Sequence, residues 1–155
     1  MTTPLAPLAP GGRVGVQPPL SPAEVSFLAA FSREPVPRHD GGTVSEALPR
    51  VRRLWPGRPR GWSPWVPCAE GCCLVVDQQQ PVEAAAEWLR FLVHTFLRPT
   101  ARRARLTRLG LTFAHTVEGR VWFESPNDRC YLVSVRRNRV HADAVLMSAD
   151  QTRER

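Results

Sequence analysis

The sequence predicts an α+β domain: a small antiparallel sheet, formed as a C-terminal meander, packed against one long helix, with a short N-terminal helix. Three observations predict this fold. Apolar residues recur at helical spacing over residues 81–97. Short strand-like segments separated by turn residues follow Gly110. The chain has 155 residues, 43% of them hydrophobic, which suits a single globular domain and argues against global disorder.

The N-terminal part of the chain is rich in proline and contains one helix signal. Residues 1–20 lack apolar periodicity, so we predict a disordered tail there. The capping-box pair Ser21 and Glu24 predicts a helix over 21–33. Proline cannot donate to a strand ladder, whereas tryptophan is rarely left in disordered loops. Residues 35–67, rich in both, are therefore predicted to form an ordered but irregular segment.

The remainder of the chain supplies the elements of the predicted sheet and the long helix. The helix over 81–97 begins at a proline and ends before Pro99, because the residue preceding a proline is excluded from helical geometry. Glu118-Gly119 has the composition of a tight turn, which predicts a hairpin over 111–124. Strands are predicted at 72–76, 111–117, 120–124, 130–135 and 140–146. The single domain is predicted to cover 21–147, followed by a frayed tail over 148–155.

Positive charge is concentrated in two segments of the chain. The net charge is +7, and all 21 basic residues are arginine. Residues 50–60 and residues 98–108 each carry five arginines and no acid, so the rest of the chain is slightly acidic. The first segment is interleaved with tryptophans, and both residue types are enriched at protein interfaces. We predict a binding surface at Trp55, Trp62, Trp65, Arg52, Arg53, Arg58 and Arg60, close to Arg50. The second basic patch is predicted at Arg98, Arg102, Arg103, Arg105 and Arg108.

These patterns favour a non-catalytic cytoplasmic module that binds another protein of unknown identity. The alternative is an accessory protein that binds RNA or DNA through its arginine patches. No apolar run approaches about 18 residues, and the first ten residues carry no positive charge. Neither a membrane partner nor a secretory signal is therefore expected. No catalytic residue, metal ligand or cofactor is predicted, because the sequence contains none of the familiar phosphate-binding or hydrolase motifs.

The four cysteines leave a further alternative open, namely a zinc protein or an enzyme. Zinc would be bound by Cys68 and Cys72 together with Cys130 and one of three histidines. The candidate histidines are His94, His115 and His141. A catalytic cysteine would instead need a positioned base. The competing interpretation is that these cysteines are small buried hydrophobic residues beside a strand.

Two stretches carry a resemblance to a protein family. Trp62-Ser-Pro-Trp65-Val-Pro-Cys68, with Gly71 and Leu74, resembles the W-x-x-W-x-P-x-x-x-G-x-x-L segment of uncharacterised small proteins common in actinobacteria. Residues 87–92 and 96–99 are similar to that family's E-W-L-x-x-L helix and its F-L-x-P end. The resemblance covers roughly residues 55–142. It implies an ordered tryptophan segment and a high-GC bacterial cytoplasm, and it implies no reaction.

Overall fold

Six antiparallel strands form one sheet, and two helices pack against one of its faces. The computed structural model describes residues 12–44, 55, 57–99, 110–124 and 129–146. The strands lie in the order β2-β3-β1-β4-β5-β6. They are β1 (Gly12–Gln17), β2 (Trp65–Pro67), β3 (Cys73–Val76), β4 (Thr116–Glu124), β5 (Arg129–Arg136) and β6 (Arg139–Leu146). The helices are α1 (Pro22–Ala29) and α2 (Val82–Leu92), the latter followed by a π-helical turn, Val93–Leu97. The predicted α+β class with an antiparallel sheet is confirmed.

The helical segments themselves are modest in length. Within the described part of the chain, none combines the length and the apolar character that crossing a bilayer requires. The segment predicted as one long helix is an 11-residue α-helix and a five-residue π turn. It stops at Leu97 because Pro99 holds Arg98 in extended geometry, with φ −71° and ψ 152°. The helical segment has the predicted extent but, contrary to the prediction, it is not α-helical throughout.

The predicted N-terminal tail is wrong for Gly12–Leu20, because β1 is a central strand. It pairs with β3 on one side and β4 on the other, and Val14 and Val16 are fully buried. The period-2 signal of these two valines is short, and the neighbouring glycines hide it. Residues 1–11 and 147–155, which include the predicted C-terminal tail, lie outside the described residues.

The predicted hairpin over 111–124 is also wrong, because Glu118 and Gly119 lie inside the continuous strand β4. A Cβ at Gly119 would lie 2.9 Å from the Cα of Val14 on the neighbouring strand. Glycine is therefore required here for the close approach of β1, rather than for a turn. The predicted strands 130–135 and 140–146 correspond to β5 and β6, and the turn in the gap between them has Arg137 and Asn138 both at positive φ.

Aromatic side chains from both helical segments form the centre of the core. The ring of Phe96 lies 5.0 Å from that of Phe27 and 5.5 Å from that of Phe31, measured between centroids. The indole of Trp55 is 5.2 Å from Phe96 and is partly buried against this cluster. Trp65 is completely buried, and its Nε1 donates a hydrogen bond of 2.7 Å to the carbonyl oxygen of Ala85. The segment predicted to be irregular but ordered is therefore packed into the core at Trp55 and Trp65.

A buried ion pair joins α1 to the start of β4. The Nε2 atom of His115 lies 2.9 Å from Glu24 Oε2, and both side chains are almost fully buried. His115 Nδ1 lies 2.6 Å from the carbonyl oxygen of Pro18, which can only accept. Nδ1 can therefore donate to Pro18, while Nε2 faces both carboxylate oxygens of Glu24. Thr112 donates from its backbone N–H and its hydroxyl to Glu24, and Ser21 completes the predicted capping box.

The carboxyl of Glu24 is held in its ionised form despite its burial. Burial by itself raises its pKa, but hydrogen bonds from the backbone N–H groups of Ser21 and Thr112 and the contact with His115 outweigh that effect. The net pKa of Glu24 is lowered from 4.5. Its stabilising contribution is therefore present above pH 4.5 and is lost as the pH falls through the lower folded-state value.

We predict that Glu24→Gln lowers the free energy of unfolding by about 3–5 kcal/mol near neutral pH, because it removes the buried carboxylate that contacts His115 and accepts from Ser21 and Thr112. The difference from wild type should narrow below pH 4.5, where the wild type loses the same interaction. Urea unfolding at several pH values measures both effects. Glu83→Gln, at an exposed position of α2, is the control and should change stability by less than about 0.5 kcal/mol. A constant difference across the pH range would contradict the account.

Candidate metal centre

Two turns from distant parts of the chain bring three cysteines and one histidine together. The loop between β2 and β3 supplies Cys68 and Cys72, and Cys73 is the first residue of β3. The turn between Val36 and Val44 supplies His39. The three sulfur atoms and a ring nitrogen of His39 all lie within 4.8 Å of one another. These four are the only group of potential metal ligands found among the described residues.

The spacing of these four atoms fits a tetrahedral zinc ion. Cys68 Sγ lies 3.7 Å from Cys72 Sγ, and His39 Nε2 lies 3.1 Å from Cys72 Sγ and 4.0 Å from Cys73 Sγ. Zn–S bonds of about 2.3 Å at the tetrahedral angle place two sulfurs about 3.7 Å apart. A zinc-bound nitrogen and sulfur are about 3.5 Å apart by the same construction. One ion at the centre of the group would thus reach all four atoms.

The cysteine loop owes its shape to one glycine. Gly71 has φ +80°, and its N–H donates to the carbonyl oxygen of Cys68 over 3.0 Å. A Cβ at Gly71 would collide with the backbone oxygen of Leu20, so a larger residue is excluded. The N–H of Leu20 in turn donates to the oxygen of Gly71 over 2.8 Å. The loop is therefore fixed against the segment that joins β1 to α1.

The histidine turn is a small hairpin docked onto the cysteine loop. Val44 N–H donates to the oxygen of Val36, and Pro37 forms a bridge with Thr43. The N–H of Ala69 donates to the oxygen of Pro37 over 2.8 Å, which ties the two turns together. Glu70 contributes a second tie. Its Oε2 accepts the backbone N–H of His39 at 3.3 Å, and its Oε1 lies 3.7 Å from His39 Nε2.

The three thiols strongly perturb one another. The pKa of Cys68 is lowered to about 4, chiefly because the thiol of Cys73 donates a hydrogen bond to its sulfur. The pKa of Cys73 is raised by that same hydrogen bond and by its burial, and only Arg13 acts in the opposite direction. Burial, followed by the charge of Cys68, raises the pKa of Cys72. One thiolate therefore suppresses the ionisation of its neighbours, and a bound cation would remove that suppression.

Two of the four candidate ligands are buried, and a positive charge lies beside the site. Cys68 is 0% exposed and Cys73 3% exposed. Arg13 projects from the same sheet face as Cys73, because Arg13 pairs with Val75 and Gly15 with Cys73. Within the described residues, the buried Nη1 atom of Arg13 has no hydrogen-bond partner. Three thiolates and one Zn²⁺ carry a net charge of −1, which this guanidinium could balance.

The structure brings together only two of the ligands considered for zinc from the sequence. Cys68 and Cys72 belong to the cluster, whereas Cys130 lies on β5, three strands from β3, or about 14 Å.

None of the three candidate histidines belongs to the cluster. His115 is buried beside Glu24, and His94 is an exposed residue whose Nε2 lies 3.2 Å from the carbonyl oxygen of Asn138. His141 lies on β6. Desolvation lowers the pKa of His94, as do the charges of Arg98 and Arg90.

Sequence reasoning missed His39 and Cys73 as ligands. Cys73 was assigned to the strand, where it indeed lies, but its side chain points away from the core face occupied by Leu74. His39 follows Pro37 and precedes Gly41-Gly42. This composition predicts a turn but does not indicate which part of the fold the turn contacts. Only the tertiary hydrogen bond from Ala69 to Pro37 brings that turn to the cysteines.

The predicted tryptophan surface is dispersed in the structure. Trp65 is 0% exposed and cannot contact a partner, so its inclusion is wrong: its indole fills the core instead. Trp55 is partly buried, and Trp62 is half-buried, with the guanidinium carbon of Arg33 5.8 Å from its ring centroid. Arg58 and Arg60 line an open groove beside α2. Other predicted arginines lie outside the described residues, namely Arg50, Arg52, Arg53, Arg102, Arg103, Arg105 and Arg108.

Comparisons with protein-family models, curated proteins and solved structures found no match for this chain. The site must therefore be interpreted from its own geometry.

Proposed function

We propose that this protein is a zinc-binding module in which His39, Cys68, Cys72 and Cys73 bind one structural Zn²⁺. The observation that carries the proposal is the convergence of three sulfurs and one imidazole nitrogen within 4.8 Å. Three cysteines and one histidine are a common ligand set of structural zinc sites. Their soft thiolate ligands also favour zinc over magnesium or calcium, which prefer oxygen.

A structural role follows from the number and burial of the ligands. Four protein ligands complete a tetrahedral shell, whereas a catalytic zinc keeps one position for water or substrate. Both Cys68 and Cys73 are inaccessible to solvent. The ion would therefore fasten the His39 turn to the β2–β3 loop. Apart from the hydrogen bonds of Ala69 and Glu70, that turn consists of exposed residues around Gly41 and Gly42.

Metal content and thermal stability test the proposal together. We expect the purified full-length chain to contain about one zinc ion per molecule. Chelation should lower the melting temperature and zinc should restore it, because free zinc at a thousand times its Kd stabilises the folded state by about 4 kcal/mol. Substitution of Co²⁺ should produce the thiolate charge-transfer absorption of a tetrahedral site.

Three variants make this test specific. Cys68→Ser should abolish stoichiometric zinc binding, whereas Cys130→Ser, on β5, should leave it intact. His39→Ala removes one ligand from the turn without altering the sheet, so it should weaken zinc binding while the three cysteines still hold the ion and the chain remains folded. A chain without bound metal whose melting temperature is indifferent to chelator and to added zinc would refute the proposal.

Binding of a protein partner is the second function we propose, and one groove supports it. The groove, of about 780 Å³, lies between residues 57–60 and α2. Arg58 and Arg60 from the first arginine segment line it, with Glu83 and Glu87 opposite. The Nε1 of the buried Trp88 donates to the backbone oxygen of Arg60 over 3.2 Å, which fixes this side of the groove against α2. Mixed charge along the groove suits a protein partner better than a polyanion.

The test of this second function is affinity capture with wild type and with Arg58→Ala/Arg60→Ala. We expect a protein captured by the wild type to be reduced about tenfold or more with the variant, as for central arginines of an interface. The melting temperatures of the two proteins should agree within error. A capture profile unchanged by the double substitution would contradict a partner at this groove.

A further inference from the structure

The sheet face that the helices leave uncovered carries an exposed tryptophan and several arginines. We define the outer face as the outward-pointing side chains of β4, β5 and β6. In β4, Glu118, Arg120 and Trp122 point outward, whereas Val121 and Phe123 are buried on the core side. Trp122 is 47% exposed, and no other large hydrophobic side chain in the described ranges is classed as exposed. An aromatic ring in this position has a free π face.

The strand register places arginines close to this tryptophan. Ser134 of β5 pairs with Arg120 of β4 on one side and with His141 of β6 on the other. Arg136 pairs with Arg139 in the next outward row. The row that contains Trp122 lies on the other side of Arg120, so ring and arginines span about 13 Å along the strands. This distance suits a ligand that is extended rather than compact.

Two hollows join this surface into a basic track. The larger, of about 1060 Å³, lies on the outer face, and the smaller, of about 350 Å³, lies beside the π turn. Arg137 and Arg139 line both hollows. Arg98 lines the smaller one, and within the described residues its buried Nε has no hydrogen-bond partner. An anion in that hollow would satisfy this donor.

The arginines of the track are not neutralised by nearby acids. Five arginines line the two hollows, and Glu118 is the one carboxylate among the lining residues. Its Oε2 accepts the backbone N–H of Arg137 over 3.2 Å. Over the described ranges, the salt bridges found involve only His39 and His115 on the basic side. Two further carboxylates of the outer face, Glu124 and Asp143, lie towards the Trp122 end.

We propose that the outer face binds single-stranded nucleic acid, with phosphates on the arginine track and an unpaired base stacked on Trp122. Arginine binds phosphate oxygens bidentately, and exposed aromatic rings on sheets stack on unpaired bases. A duplex keeps its bases stacked internally and would leave Trp122 unused. Glu124 and Asp143 lie towards the ring, whereas the arginines lie further along the face, with Glu118 as the one carboxylate among them. This polarity matches a ligand with separate phosphate and base groups.

Fluorescence anisotropy with labelled single strands of about twelve nucleotides tests the proposal on the full-length chain. RNA and DNA strands of one sequence, and the corresponding duplex, are the three probes. We expect at least one single strand to bind more tightly than the duplex. Its affinity should fall steeply between about 50 and 200 mM KCl, because phosphate binding releases counterions.

Variants separate the phosphate contacts from the stacking contact. Arg136→Ala/Arg139→Ala should weaken binding about tenfold at moderate salt and should reduce the slope of affinity against salt by about 0.7 per lost contact. Trp122→Ala should weaken binding about fivefold or more with an unchanged slope, and Trp122→Phe should retain most of the affinity. Arg33→Ala, which follows α1 on the other side of the sheet, is the matched control for lost charge.

Several results would overturn the proposal. These are the absence of single-strand binding at low salt, equal affinity for the duplex, or losses in Arg33→Ala as large as in Arg136→Ala/Arg139→Ala. Inorganic polyphosphate that displaces the strand while Trp122→Ala has no effect would show a simple anion surface and would also overturn it. The substituted residues are exposed, so matching melting temperatures would show that each variant remains folded.

Discussion

The buried contact between Glu24 and His115 is the constraint on which the rest of the structure depends. It joins the N-terminus of α1 to the start of β4, and the second ring nitrogen of His115 reaches back to the carbonyl of Pro18. Both side chains are buried, so the polar atoms of each depend on the other for a hydrogen-bond partner. The pair thereby fixes the segment between β1 and α1 against the middle of the sheet.

That fixed segment also determines where the metal ligands lie. Leu20, between Pro18 and Glu24, donates its backbone N–H to the carbonyl oxygen of Gly71 in the cysteine loop. The chain that leaves α1 continues into the turn that carries His39. Both sides of the cluster are thus attached to one short stretch of chain. Zinc would close the remaining gap between the two turns, which contain little apolar surface of their own.

Features of the fold that depend on neighbouring residues could be predicted from the sequence, whereas features set by contacts with a distant strand could not. The capping box at Ser21, the helical periodicity that ends before Pro99 and the Arg137–Asn138 turn depend on neighbouring residues, and they are found where predicted. The turn predicted at Gly119 is wrong because this glycine allows the close approach of Val14 on another strand, which the local sequence does not show. β1 was missed because two valines between glycines are too short a pattern.

The candidate site was harder to predict than the fold, because its parts are far apart in sequence. The cysteine spacing indicated Cys68 and Cys72, but nothing near His39 distinguishes a ligand from a turn residue. The outer face illustrates the same point. Arg98 belongs to the second predicted basic patch, and Arg136, Arg137 and Arg139 are close together in the sequence. Only the folded sheet brings these two groups and Arg120 of β4 to neighbouring hollows, which the clustering of charge along the chain does not indicate.

X-ray absorption at the zinc edge of the purified full-length protein tests the central claim most directly, because it reports the atoms bound to the metal. The account predicts a four-coordinate ion with three sulfurs at about 2.3 Å and one nitrogen at about 2.0–2.1 Å. His39→Ala should remove the nitrogen contribution and leave the sulfurs. A shell of oxygen and nitrogen without sulfur, or the absence of zinc from protein purified without chelator, would contradict it.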